Sequence, residues 1–140
     1  MEIMVVDGMG GGIGRAIVER IRLEAREHTI LAVGANAIAT AAMLKAGAHQ
    51  AATGENAVVV NSGRVDCIVG TVGIVMANAM LGEITPRMAE ALASSKATKI
   101  LIPASKCNTL IAGVAEKPTA QYINEIPLIL SRLASEKENA

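Results

Sequence analysis

The stretch "VVDGMGGGIGRAIVERI" runs from Val5 to Ile21 and places five glycines within seven residues, Gly8 to Gly14. Before it lies a short apolar run, and after it Ile13, Ile17 and Ile21 recur at four-residue steps with Val18 beside them. That pattern predicts a strand, a tight loop and an amphipathic helix from Gly12 to Arg26. Arg15–Glu19 and Arg20–Glu24 stand at i,i+4 spacing on its polar side. In a parallel sheet such a loop lies at the carboxyl edge, where ligands bind. The first N–H groups of the helix and its dipole favour an anion there, and glycine lets the backbone approach it. Gly8, Gly10, Gly11, Gly12, Ile13 and Gly14 are therefore candidate phosphate-binding residues. The alternative is a glycine-rich turn that binds nothing.

Strands and helices alternate outward from this loop. "TILAV" (Thr29–Val33) predicts a second strand stopped by Gly34, followed by a small-residue helix over about 36–46 that Gly47 ends. "AHQAAT" suggests a short strand, and "ENAVVVN" a helix or a further strand. "DCIVG" (Asp66–Gly70) is a buried strand, and "IVMANAM" a helical turn. Thr85 and Pro86 form an N-cap and first-turn pair for a helix with Met88, Ala89 and Leu92 on one face. "TKILIP" is a strand closed by Pro103, with "TLIAGV" as a possible further one. Pro118 opens a last helix carrying Ile123, Ile126, Leu130 and Leu133, in which Pro127 is expected to make a kink. The alternation predicts a three-layer α/β Rossmann-like fold with a mostly parallel sheet, as one nucleotide-binding domain over 1–140.

Composition narrows the function classes. The 140 residues are 51% hydrophobic with Tyr122 as the lone aromatic, so the core must be aliphatic. Net charge is zero and the basic residues are scattered, which argues against a nucleic-acid partner. No apolar run approaches the roughly 18–20 residues of a membrane span, so no membrane partner is expected. The opening "MEIMVVDG" has no secretory pattern, and a cytoplasmic location is expected. Cys67 and Cys107 lack metal or disulfide spacing, so no metal site is predicted and buried free thiols are the ordinary reading.

Read as GxxxGxG on Gly8, Gly12 and Gly14, followed by "IGRAI", the loop resembles the cofactor loop of short-chain dehydrogenases. "DCIVGTVG" is similar to their fourth strand and the turn beyond it, which adds Gly70, Thr71 and Gly73 to the candidate cofactor-binding residues. Their catalytic tyrosine is followed by lysine four residues on, whereas here Ile126 follows Tyr122 at that distance. The resemblance thus implies cofactor binding and not dehydrogenase chemistry. NAD binding usually needs an acid at the end of the second strand, but that place holds Gly34, Ala35 and Asn36. Without a carboxylate to repel a 2′-phosphate, NADP is favoured slightly over NAD, with other adenine nucleotides open. "GAN" also resembles the GxN of NADP-dependent deoxyxylulose phosphate reductoisomerases. Gly34 and Asn36 are candidate contacts, and a plain helix N-cap is an equal reading of Asn36.

Chemistry-bearing residues are few. Asp7, Asn36, Thr71, Asn78, Ser105, Lys106, Cys107 and Asn108 are expected near the ligand edge. Lys106 is a candidate to neutralise phosphate or hold a carbonyl oxygen. Cys107 is a candidate nucleophile if Lys106 stabilises its thiolate, with a structural thiol as the commoner role. Asp7 is a candidate base, or it holds the loop by accepting backbone N–H bonds. His28 suits a solvated or dipole role at a helix end, while His49 has no evident partner. Glu55 and Asn56 fit a helix-opening turn.

The phrases "GGGIG", "ATAAMLKAGA", "ATGENA", "GEITP" and "ILIP" resemble a bacterial family of small Rossmann-like proteins of unknown function, from end to end. That resemblance implies the fold and no activity. Three functions follow as expectations: a dinucleotide-binding sensor or partner subunit, a small NAD(P)-dependent oxidoreductase with its site between subunits, or an interaction-only protein. A homodimer is also expected, with the Met-rich "IVMANAML" as part of its interface or simply as core.

Overall fold

The computed structural model describes residues 1–104 and 108–140. Five strands form one sheet: β1 (Glu2–Asp7), β2 (Thr29–Gly34), β3 (Gln50–Thr53), β4 (Cys67–Thr71) and β5 (Thr98–Ile102). Their order is β3-β2-β1-β4-β5, and every pairing is parallel. The helices are α1 (Gly12–Glu24), α2 (Ala37–Lys45), α3 (Glu55–Asn61), α4 (Pro86–Ser94) and α5 (Thr119–Glu138), with a 3₁₀ turn at Val72–Val75. This is the three-layer α/β Rossmann-like arrangement expected.

Strand alternation builds the two cores. In β1, Ile3 and Val5 join Ile17, Val18 and Ile21 of α1, Met43 of α2 and Ile126 and Leu130 of α5. Met4 and Val6, pointing to the other face, pack with Val58, Ile74, Met88 and Leu92. Burial on both faces explains why β1 and β4 are continuous apolar runs. Asn36 caps α2 by accepting the Ala39 N–H, and Thr85 caps α4 by accepting that of Met88, with Pro86 at the helix start. Thr85 also donates to Glu55 Oε1 at 2.6 Å, which ties the start of α4 to that of α3.

Several expectations change. "ENAVVVN" is a helix and "QAAT" a strand. The helix after the glycine loop stops at Glu24, short of Arg26. Residues 109–114 are not a strand: the chain turns at Ala112–Gly113, Gly113 has φ +84°, and Leu110 is 91% exposed. An apolar run needs a neighbouring strand or a core to bury against, and this one has left the sheet beyond β5. The helical turn expected in "IVMANAM" sits earlier, at Val72–Val75, and the chain then passes through left-handed Asn78, Met80 and Leu81. Ile74, Ala79 and Met80 of the Met-rich segment lie in the second core, whereas Leu81 is 95% exposed. Pro127 sits inside a helix that continues on both sides of it.

Candidate functional site

Strand β1 feeds α1 on one face of the sheet, while β4, its neighbour, leads into the 3₁₀ turn that packs in the core of the other face. The carboxyl edge between them is thus the topological switch point, where a crevice opens in folds of this kind. The loop from Asp7 to Gly12, with Ile13 and Met80, lines a shallow cavity of ≈ 240 Å³ there.

Asp7 organises the loop. It is buried, and its Oδ1 accepts the Gly8 N–H at 2.8 Å while Oδ2 accepts the Gly14 N–H at 2.6 Å. Burial pushes its pKa above the ordinary value, the Glu83 carboxylate adds to the rise, and the two N–H bonds oppose it. Of the two roles read from the sequence, holding the loop is the one the geometry shows. Gly11 sits at the N-cap with φ +73°, and its N–H is bonded to Gly8 O at 2.9 Å.

The glycines divide into two sets. A Cβ on Gly8 would lie 2.8 Å from Glu83 Oε1 and Met80 Sδ, one on Gly11 2.7 Å from the Ala39 backbone, and one on Gly14 2.7 Å from Asp7 and Met43. The fold itself requires glycine at Gly11 and Gly14, whereas at Gly8 the ends of two flexible side chains would have to move aside. Gly34 and Gly70 are likewise closed in, against Thr40 and against Val6 O. Gly10 and Gly12 differ: both are exposed, neither has positive φ, and nothing lies within 4 Å of a Cβ built on them. The N–H groups of Gly12 and Ile13 fall in the first turn of α1, where no intrahelical acceptor exists.

Asn36 stands at the end of β2. Its Oδ1 takes the Ala39 N–H at 2.9 Å, and its Nδ2 donates to Met9 O at 2.8 Å and Glu83 Oε2 at 2.7 Å. Both amide hydrogens are therefore committed within the protein, and the helix N-cap read for Asn36 is the role the geometry shows. Strands β1 and β4 pair as far as Val5 and Val69, and the next side chains on that face are Asp7 and Thr71. Thr71 is 1% exposed, and among the described residues its hydroxyl has no hydrogen-bond partner. Gly73 is buried in the 3₁₀ turn. Arg15 is exposed and pairs with Glu19 at 3.0 Å, the surface role expected.

Sequence reasoning missed Glu83, Met9 and Met80. Glu83 is the one charged residue between β4 and α4. Its signal was a long connection leaving the carboxyl edge with a single acid in it.

Other candidates lie elsewhere. Lys106 and Cys107, with Ser105, fall outside the described residues. Cys67 is buried at the start of β4, away from the switch point, and burial pushes its thiol up to about 11. His49 is not unpartnered: its Nδ1 accepts the Ile30 N–H at 3.0 Å and its ring lies against Arg22. His28 is buried rather than solvated, with Nδ1 3.2 Å from the N-terminal amine and Nε2 3.4 Å from Glu27. Among the described residues no three His, Cys, Asp or Glu side chains group to hold a metal ion, and no helix is long and apolar enough to cross a membrane.

The family model described as Domain of unknown function (DUF3842) matches residues 2–135. The chain belongs to this family. No curated protein matches it by sequence. Among solved structures, a universal stress protein in complex with cAMP is similar at 22% identity and a TM-score of 0.39, over 71% of this chain and 95% of that one. At such a distance the cAMP bears on that protein alone. For this member of the DUF3842 family, the site has to be read from its own residues.

Proposed function

We propose that this protein binds a dinucleotide, NADP or NAD, with a phosphate seated on the loop Gly8–Gly14, as a sensor or as a subunit working with a partner. The observation that carries the reading is the pair Gly10 and Gly12. Neither internal packing nor backbone conformation calls for glycine at these exposed positions, yet an anion approaching the first turn of α1 does. The Thr71 hydroxyl, without a hydrogen-bond partner among the described residues, and the cavity beside the loop support a ligand at the same edge. Gly34, Asn36, Gly70 and Gly73, at or just beyond the ends of β2 and β4, complete the proposed contacts, and the resemblance of the loop to that of short-chain dehydrogenases points to the same class of ligand.

Binding is favoured over catalysis because the one buried acid at the site, Asp7, lies beneath the loop and holds it through both oxygens, out of reach of a substrate. An oxidoreductase with a site between subunits is the second reading, and any chemistry there would be the cofactor's own. Native mass spectrometry with and without added NAD and NADP tests the proposal. An added mass of one dinucleotide per chain is expected. A chain that takes up neither contradicts it and favours the interaction-only reading.

A further inference from the structure

Glu83 leaves the connection between β4 and α4, yet its carboxylate ends beside the last residues of β2. There Oε2 accepts from Asn36 Nδ2 at 2.7 Å, and Oε1 accepts from the Met9 N–H at 2.5 Å. The side chain lies close against the loop: a Cβ on Gly8 would stand 2.8 Å from Oε1. The acid missing from the β2 sequence is thus supplied in space by another element. Each carboxylate oxygen keeps a second lone pair beyond the bond it accepts, and Glu83 is half-buried and bonded to Met9, which lines the loop cavity. Among the described residues Glu83 has no ion-pair partner.

We infer that Glu83 accepts the adenosine ribose hydroxyls of the bound dinucleotide and selects NAD over NADP. The inference rests on the dinucleotide reading of the glycine loop and narrows it. Two ribose hydroxyls offer donors, and a hydroxyl bonded to a carboxylate is a strong, charge-assisted pair. A 2′-phosphate offers acceptors and negative charge, and beside an unpaired carboxylate it is repelled. Asn36 does not compensate, because both of its amide hydrogens are already donated. The slight preference for NADP drawn from the β2 sequence is reversed by this long-range contact.

Isothermal titration with NAD⁺ and NADP⁺ tests the assignment on the wild type, Glu83→Gln and Glu83→Asp. The wild type is expected to bind NAD⁺ at least tenfold tighter. Glu83→Gln is expected to narrow that ratio by about tenfold, mainly through tighter NADP⁺ binding, while Glu83→Asp keeps the charge and the preference. A wild type that prefers NADP⁺, or treats the two alike, overturns the inference without any variant and leaves dinucleotide binding standing. So does an unchanged ratio in a folded Glu83→Gln protein. Failure of the wild type to bind either dinucleotide overturns the loop reading itself, and this inference with it.

Discussion

The Asp7 carboxylate reaches across the glycine loop to the Gly14 N–H at 2.6 Å, joining the end of β1 to the first turn of α1. The two residues are in van der Waals contact as well, for a Cβ on Gly14 would stand 2.7 Å from Asp7 Cβ and from Met43 Sδ. The loop is therefore pinned to the core at both ends and is not a flexible joint.

Gly14→Ala is expected to destabilise the protein by about 1–3 kcal/mol, the cost of overpacking a filled site. Urea denaturation measures it. Met43 is a flexible partner, but Asp7 Cβ belongs to a buried strand and cannot retreat. A midpoint equal to or above that of the wild type would show that α1 does not sit on β1 as described.

The raised pKa of Asp7 has a definite sign. A carboxyl that holds its proton more tightly when folded makes the native state bind more protons than the unfolded one above pH 3.8, the ordinary value. Its contribution therefore falls as pH rises from there through the raised value. Asp7→Asn is expected to remove that segment from the stability-against-pH curve, seen as a shallower decline relative to wild type. Curves that stay parallel throughout would contradict the burial of the acid.

His28 acts in the opposite direction. Burial lowers its pKa, the N-terminal amine lowers it further, and Glu27 opposes them. Below pH 6.5 the unfolded chain takes up a proton that the native imidazole resists, so stability is lost as pH falls through that region. His28→Gln is expected to flatten this acid limb in denaturation curves recorded between about pH 6.5 and 5. An acid limb as steep in the variant as in the wild type would place the cause elsewhere.

Ile126 of α5 is fully buried in the core shared with α1. Ile126→Ala is expected to cost about 2–5 kcal/mol by removing buried surface and leaving a cavity. A loss below about 1 kcal/mol in denaturant midpoint would mean that α5 contributes little to that core.

Much of this molecule was legible because its signals are local. The β/α alternation follows from apolar periodicity, and Thr85, Pro86 and Gly47 mark helix ends by their own chemistry. The glycine loop was equally readable as a loop. What was not legible depends on contacts between residues distant in sequence. "TLIAGV" has strand composition but no neighbour to pair with, so Leu110 lies exposed. His28 and His49 gain partners 27 and 19 residues away, at Met1 and Ile30. Glu83 meets Asn36 across 47 residues, and although it is the single acid of its connection, no local pattern names its partner. Sequence marked Gly14 as the glycine that lets α1 pack closely on the sheet, but it did not separate Gly11, needed by the fold, from Gly10 and Gly12, left open. That division came from what surrounds each one.

That division also sets the most direct test. Gly12→Asp places a carboxylate at the first turn of α1, where nothing beyond its chain neighbours and its own helix backbone lies within 4 Å of its Cβ and the helix dipole favours an acid. The thermal midpoint is expected to stay equal to or slightly above that of the wild type. Titration with NAD⁺ and NADP⁺ is expected to show binding by the wild type and at least a hundredfold loss in the variant, because the new carboxylate occupies the phosphate's place. Equal dinucleotide binding by a stable Gly12→Asp protein would contradict the account.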